Sequence, residues 1–390
     1  MNELRLSLMG GMLSAVGPMS MYLYAPAITA AAADLSTTTA SINLTLASFF
    51  GGFAVSQLFV GPISDAVGRK ATINAFLGAF CLATVAAYLA TSVDTLMVAR
   101  FVQGVGAAVG MSVSRALVRD LHSGKSAARV FSTLTMVTAV APAISPIVGG
   151  TATTLFGWRS VFVLMAAYGA VLILTCALFV VETVHRNWSG LRPRQWWLSY
   201  RDVLSRRAFV APALCTGSLV GVVYANSTLL PSVLMGVVGL SPLEFGVAIL
   251  THPVGYLAGS VVARRVLARS SATTVVVHGY VLIAIGCVGM LGLLVVTPGL
   301  WQVLLPVGIY SFGLAFIMPV MTAASLEQVP HVAGAASSLL GFTQMMLGLL
   351  ASILGNLLGD LVTAVALLMP IMALLSLVSF ASHLSSSEAG

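Results

Sequence analysis

Charge is what this sequence has least of. Only 7% of its 390 residues are Asp, Glu, Lys or Arg, and lysine occurs twice, as Lys70 and Lys125. A soluble chain of this size is about a quarter charged, so a water-solvated globular domain large enough to hold an enzyme is not expected. The formal charge of +7 could suit nucleic acid, but the basic residues are scattered through short segments between apolar runs and do not gather on one soluble face, so no nucleic-acid partner is expected. The four cysteines, Cys81, Cys176, Cys215 and Cys287, fall singly inside apolar runs, a pattern of free thiols rather than disulfides or a metal site. A phosphate-cradling Walker loop is missing, which speaks against ATP-driven pumping. Without a nucleophile-triad signature or a metal-ligand cluster, no enzyme activity, cofactor or metal is expected.

What the chain has instead is hydrophobic length. It is 58% hydrophobic, and apolar runs of about 20 residues, enough to cross a bilayer, recur twelve times. The expected spans are 6–32, 40–62, 71–91, 96–118, 128–151, 160–181, 207–233, 244–263, 272–294, 301–326, 335–358 and 361–382 (spans 1 to 12). The first is too long for the apolar part of a cleavable leader. If the N-terminus is cytoplasmic, nearly every Lys and Arg falls in cytoplasmic segments, as the positive-inside rule asks. Only Arg100 and Arg159 fall toward the outside. Both termini are therefore expected in the cytoplasm.

Glu182–Arg207 breaks the rhythm. It holds six arginines with Trp188, Trp196 and Trp197 and no spanning run. Its tryptophans suit the headgroup level and its pattern suits a short amphipathic helix. It divides the chain into a six-span bundle at 1–181, a cytoplasmic linker at 182–206 and a second six-span bundle at 207–390. The fold class expected is an all-α membrane protein of two pseudo-symmetric six-helix bundles, the arrangement of a transporter built on internal repeats.

Six stretches carry more specific information. Gly61-Pro-Ile-Ser-Asp-Ala-Val-Gly-Arg-Lys70, read as a tight charged reversal between spans 2 and 3, resembles the signature turn of the major facilitator superfamily. Arg100-Phe-Val-Gln-Gly-Val-Gly-Ala-Ala108 is similar to the span-4 motif of that superfamily's proton-coupled members. Ala141-Pro-Ala-Ile-Ser-Pro-Ile-Val-Gly-Gly150 is similar to the span-5 motif of its antiporters. Met21-Tyr-Leu23, Ala116–Asp120 and Ala333–Phe342 resemble the bicyclomycin- and chloramphenicol-resistance (Bcr/CflA-type) drug exporters. The resemblance runs along the whole chain, in order.

The resemblance implies roles. Gly61, Asp65, Gly68, Arg69, Lys70 and Asp120 would form a gating latch at the cytoplasmic ends, with Asp65 and Arg69 one helical turn apart. Otherwise Arg69 and Lys70 only fix topology. Arg100, with Gln103, would couple proton and substrate movement. An arginine inside a span is functional unless it snorkels to the headgroups. Pro142, Pro146, Gly149 and Gly150 would kink or thin span 5. Polar and aromatic residues of the pore-lining helices, Ser20, Tyr22, Tyr24, Asn43, Gln57, Tyr224, Asn226, Tyr256, Tyr310 and Gln344, would line a cavity for small amphipathic molecules, though each could equally be packing.

One departure stands out. The acid that such exporters carry before Met-Tyr-Leu is here Ser20, and no other carboxylate lies deep in spans 1 to 6. His252, near the middle of span 8 and followed by Pro253, is the alternative proton carrier, or else a neutral histidine bonded within a helix interface. The function expected is export of small amphipathic molecules in exchange for protons by a monomer in a bacterial inner membrane. The alternatives are an importer or facilitator of a metabolite or siderophore-like compound, and a non-transporting membrane receptor or assembly partner.

Overall fold

A computed structural model of the chain describes residues 3–122, 124–184, 193–327, 329 and 332–388. Among them twelve helices are long and apolar enough to cross a membrane, and none of the described residues forms a strand. The spans are Glu3–Asp34, Thr39–Val67, Arg69–Tyr88, Val93–Leu121, Arg129–Phe156, Ser160–Phe179, Arg207–Gly236, Pro242–Leu267, Ala272–Leu294, Leu300–Glu327, Gly334–Leu357 and Leu361–Ser385. Each is an apolar run whose backbone polar groups must be satisfied within the helix, because lipid offers no partners.

The ends are marked by local chemistry. Thr38, Ser92 and Ser271 accept hydrogen bonds from the backbone N–H three residues on and cap spans 2, 4 and 9. Ser241 and Glu244 form the reciprocal capping box that their spacing suggests. The expected reversal at 61–70 is far tighter in the structure. Span 2 continues to Val67 and span 3 begins at Arg69, so Gly68 alone makes the turn. Charged residues do not end a helix that can project into water.

The chain divides into two compact units, Met1–Trp197 and Leu198–Gly390. In the first, span 1 packs on spans 4 and 5, span 4 also on spans 2 and 3, and span 3 on span 6. In the second, span 7 packs on spans 10 and 11, span 10 also on spans 8 and 9, and span 9 on span 12. The second set is the first with six added to every number, so the weak sequence echo between the halves corresponds to one packing plan used twice.

Small residues permit the closest crossings. A Cβ on Gly104 would run into the Phe49 carbonyl of span 2, and one on Gly149 into the Leu23 carbonyl of span 1. Those glycines are packing elements, as expected for helices associating in lipid. Span 5 stays one continuous helix through Pro142 and Pro146. Span 8 is interrupted, with one helix at Pro242–Ala248 and the next at Thr251–Leu267. Pro253 accounts for the break, since it has no N–H to give and its ring crowds the carbonyl of Ile249.

Candidate functional site

At one end of the first unit, Arg69 is 2% exposed despite its charge. Its Nη1 lies 2.5 Å from Asp65 and donates to Ser64 Oγ at 2.6 Å, while its Nε donates to Asp120 Oδ2 at 3.0 Å. Ser64 in turn donates to the Gly61 carbonyl at 2.9 Å, so it can only accept from the guanidinium. Thr183 donates to the same Asp120 oxygen at 2.8 Å. One cation thus ties the end of span 2 to the end of span 4, using the fork geometry that lysine lacks.

The sequence reading missed the third carboxylate. Glu182, just past span 6, accepts the backbone N–H of Arg69 at 2.8 Å and that of Lys70 at 3.1 Å. It caps the start of span 3 from 113 residues away, where the N-cap residue Gly68 has no side chain to do so, and its charge sits at the positive end of that helix. Nothing in local spacing could reveal it, because the link is purely tertiary. Gly68 is required here twice. Its φ of 109° is a left-handed value, and a Cβ there would come within 2.6 Å of the Glu182 carboxylate. Gly68→Ala is therefore expected to lower stability by about 1–2 kcal/mol, read as a drop in the midpoint of thermal unfolding in detergent. An unchanged midpoint would contradict the cap.

Arg100 is wholly enclosed. Its guanidinium carbon stands 4.6 Å from the ring centroids of both Tyr24 and Phe49, a two-sided cation–π arrangement. Nη1 donates to Gln103 Oε1, and Gln103 Nε2 donates to Thr84 at 2.7 Å. Arg100 Nε and Nη2 are buried and find no partner among the described residues. The side chain does not snorkel. It sits among spans 1, 2, 3 and 4 with two aromatic faces and the Gln103 amide oxygen against its charge.

His252 Nδ1 is hydrogen-bonded to Ser311 Oγ of span 10. Ser311 donates its own proton to the Val307 carbonyl at 2.7 Å, so the imidazole is the donor and Nε2 is left as the acceptor. The ring lies two residues past the break in span 8.

The cavity candidates separate into two groups. Ser20, Tyr22, Tyr24, Asn43, Gln57 and Tyr310 are buried within their own units. Ser20 bonds back to the Val16 carbonyl at 2.7 Å, Gln57 accepts from Ser112 at 2.9 Å, and Tyr310 donates to the Leu219 carbonyl at 3.0 Å. Tyr224, Asn226, Tyr256 and Gln344 are half-buried.

At the other end of the first unit, Arg159 joins span 1 to span 3. It donates to Asp34 at 2.5 Å and to the carbonyls of Tyr88 and Ala90 at 3.2 and 2.9 Å, and Trp158 Nε1 adds a bond to Asp34 at 3.1 Å. The sequence sets Arg159 apart from most other basic residues, and nothing in its spacing pairs it with Asp34.

A six-helix packing plan used twice across twelve spans is that of a membrane transporter built on internal repeats. The sequence profile described as the Major Facilitator Superfamily matches residues 11–352, and the chain belongs to that superfamily. Within it the chain is 32% identical to Multidrug resistance protein D of Escherichia coli (strain K12), over 96% of this chain and 94% of that one. It is 28% identical to a Bicyclomycin resistance protein homolog of Haemophilus influenzae, over 90% and 88%. The crystal structure of a D-xylose-proton symporter superposes with a TM-score of 0.73, over 96% of this chain and 97% of that one, at 13% identity. That last likeness concerns the fold alone.

Proposed function

We propose that the chain exports small amphipathic molecules in exchange for protons by alternating access, as a monomer in a bacterial inner membrane with both termini in the cytoplasm. Residues 1–181 and 207–390 act as its two bundles, joined by 182–206. The observation that carries this reading is the Asp65–Arg69–Asp120 ion cluster, which acts as a latch. A receptor or assembly partner needs no such switchable element, and relatives named for drug resistance support export. Gly61, Gly68 and Lys70 shape the latch, and span 5 with Pro142, Pro146, Gly149 and Gly150 flexes against span 1. Tyr224, Asn226, Tyr256 and Gln344 are the best placed of the cavity candidates to meet substrate. His252 carries the proton at Nε2, with Nδ1–H held by Ser311.

A second reading, uptake or facilitation of a metabolite without proton coupling, rests on one observation. Ser20 stands where the acid is expected, and its hydroxyl is spent on its own helix.

Purified protein in liposomes tests both, by following substrate-driven proton movement across a compound panel. Proton flux is expected with wild type and to fall roughly tenfold or more with His252→Ala, the usual scale for removing a proton-transferring side chain. Unchanged coupling in His252→Ala would remove that residue from the mechanism. Substrate flux indifferent to a collapsed pH gradient would favour the second reading.

A further inference from the structure

The helix Pro193–Ser205, between spans 6 and 7, carries two stripes of different character. On one side Trp196, Tyr200 and Val203 turn toward the protein. Val203 is fully buried, and the Trp196 ring lies 6.3 Å from that of Phe59. On the other side Arg194, Trp197, Leu198, Arg201 and Leu204 form one continuous exposed face at helical spacing. Trp197 is 65% exposed, Leu198 50% and Leu204 51%. A helix bathed in cytoplasm would gain nothing from showing three large apolar side chains.

Its depth explains them. Phe59 lies eight residues before Val67, the end of span 2, which is about 12 Å back along the helix axis. Packing on Phe59 therefore holds the start of this helix at the bilayer boundary. Tryptophan favours that level and leucine reaches just below it. Arg194 and Arg201, two turns apart on the same face, then stand among the headgroups. Asp202, the one acid in this helix's sequence, is engaged by Arg206 at 3.2 Å.

We infer that this face is a docking surface for anionic phospholipid headgroups of the surrounding bilayer, with Arg194 and Arg201 meeting the phosphates and Trp197 seated between acyl chain and headgroup. Charge complementarity selects the anionic lipid, since the exposed face offers cations and no acid.

Native mass spectrometry of the full chain, released from micelles containing phosphatidylglycerol or phosphatidylcholine, tests this. Retained phosphatidylglycerol is expected to fall roughly tenfold in R194Q/R201Q, given the attraction of each basic residue near an anionic surface, with phosphatidylcholine retention unchanged. Trp197→Ala should lower retention of both lipids. R264Q/R265Q, which removes two exposed arginines from another segment, is the control for charge alone. Equal phosphatidylglycerol retention in wild type and R194Q/R201Q, or an equal loss in R264Q/R265Q, would overturn the assignment, as would displacement of the lipid by inorganic phosphate. Unfolding midpoints matching wild type show that each variant is folded.

Discussion

Arg69→Ala is expected to abolish transport while the chain still inserts. The substitution leaves Asp65 and Asp120 facing each other without their shared cation. It also takes one donor each from Ser64 and Asp120, leaving Asp120 the Thr183 hydroxyl. Breaking a buried ion pair by removing one partner costs about 3–5 kcal/mol. Asp65 is more than half exposed and Asp120 18%, so water recovers part of this. A loss on the order of 2 kcal/mol remains, roughly thirtyfold in the population of the latched state. Arg69→Lys keeps the charge but cannot reach both carboxylates and Ser64 at once, so an intermediate rate is expected. Efflux from liposomes, compared with membrane abundance of each variant, is the measurement. Normal efflux by Arg69→Ala would leave the cluster with a topological role only.

The second large effect is a separation of stability from function at Arg100. Replacing a buried charge by an apolar side chain of similar size is often neutral or stabilising by about 1–4 kcal/mol. Arg100 suits that outcome well. Two of its nitrogens are unpartnered, and its rings, Tyr24 and Phe49, accept a methionine as readily as a guanidinium. Arg100→Met should therefore unfold at the wild-type temperature or above it. If the arginine couples proton and substrate, the same variant should lose transport by at least tenfold, a step of about 1.4 kcal/mol. Transport at the wild-type rate would mean that the residue is only a strut between spans 1, 2, 3 and 4. A destabilised variant would mean that the cation–π contacts and the Gln103 bond outweigh the desolvation of the charge.

Some of this was readable before any coordinates. The partners Asp65 and Arg69 are close in sequence, and Asp120 ends a recognisable motif, so the ion cluster could be assembled from spacing and resemblance. The Ser241–Glu244 cap was legible for the same reason, being complete within four residues. Arg159 stands apart from most other basic residues in the sequence, yet its bond to Asp34 crosses 125 residues and has no local signature. For Arg100 the type and depth were evident, and the direction of the side chain was not. A span has a full turn of possible facings, and only its neighbours choose among them.

By itself the sequence determined that the chain crosses a membrane twelve times in two like halves, because an apolar run of about 20 residues is what a bilayer-crossing helix needs and twelve such runs recur. It also determined which residues could form the latch. Tertiary structure alone decided that Gly68 makes the turn unaided, that Glu182 at the end of span 6 caps span 3, and that Arg100 is held against two aromatic rings. These are contacts between helices distant in sequence, settled by how the helices pack once they are all in the bilayer.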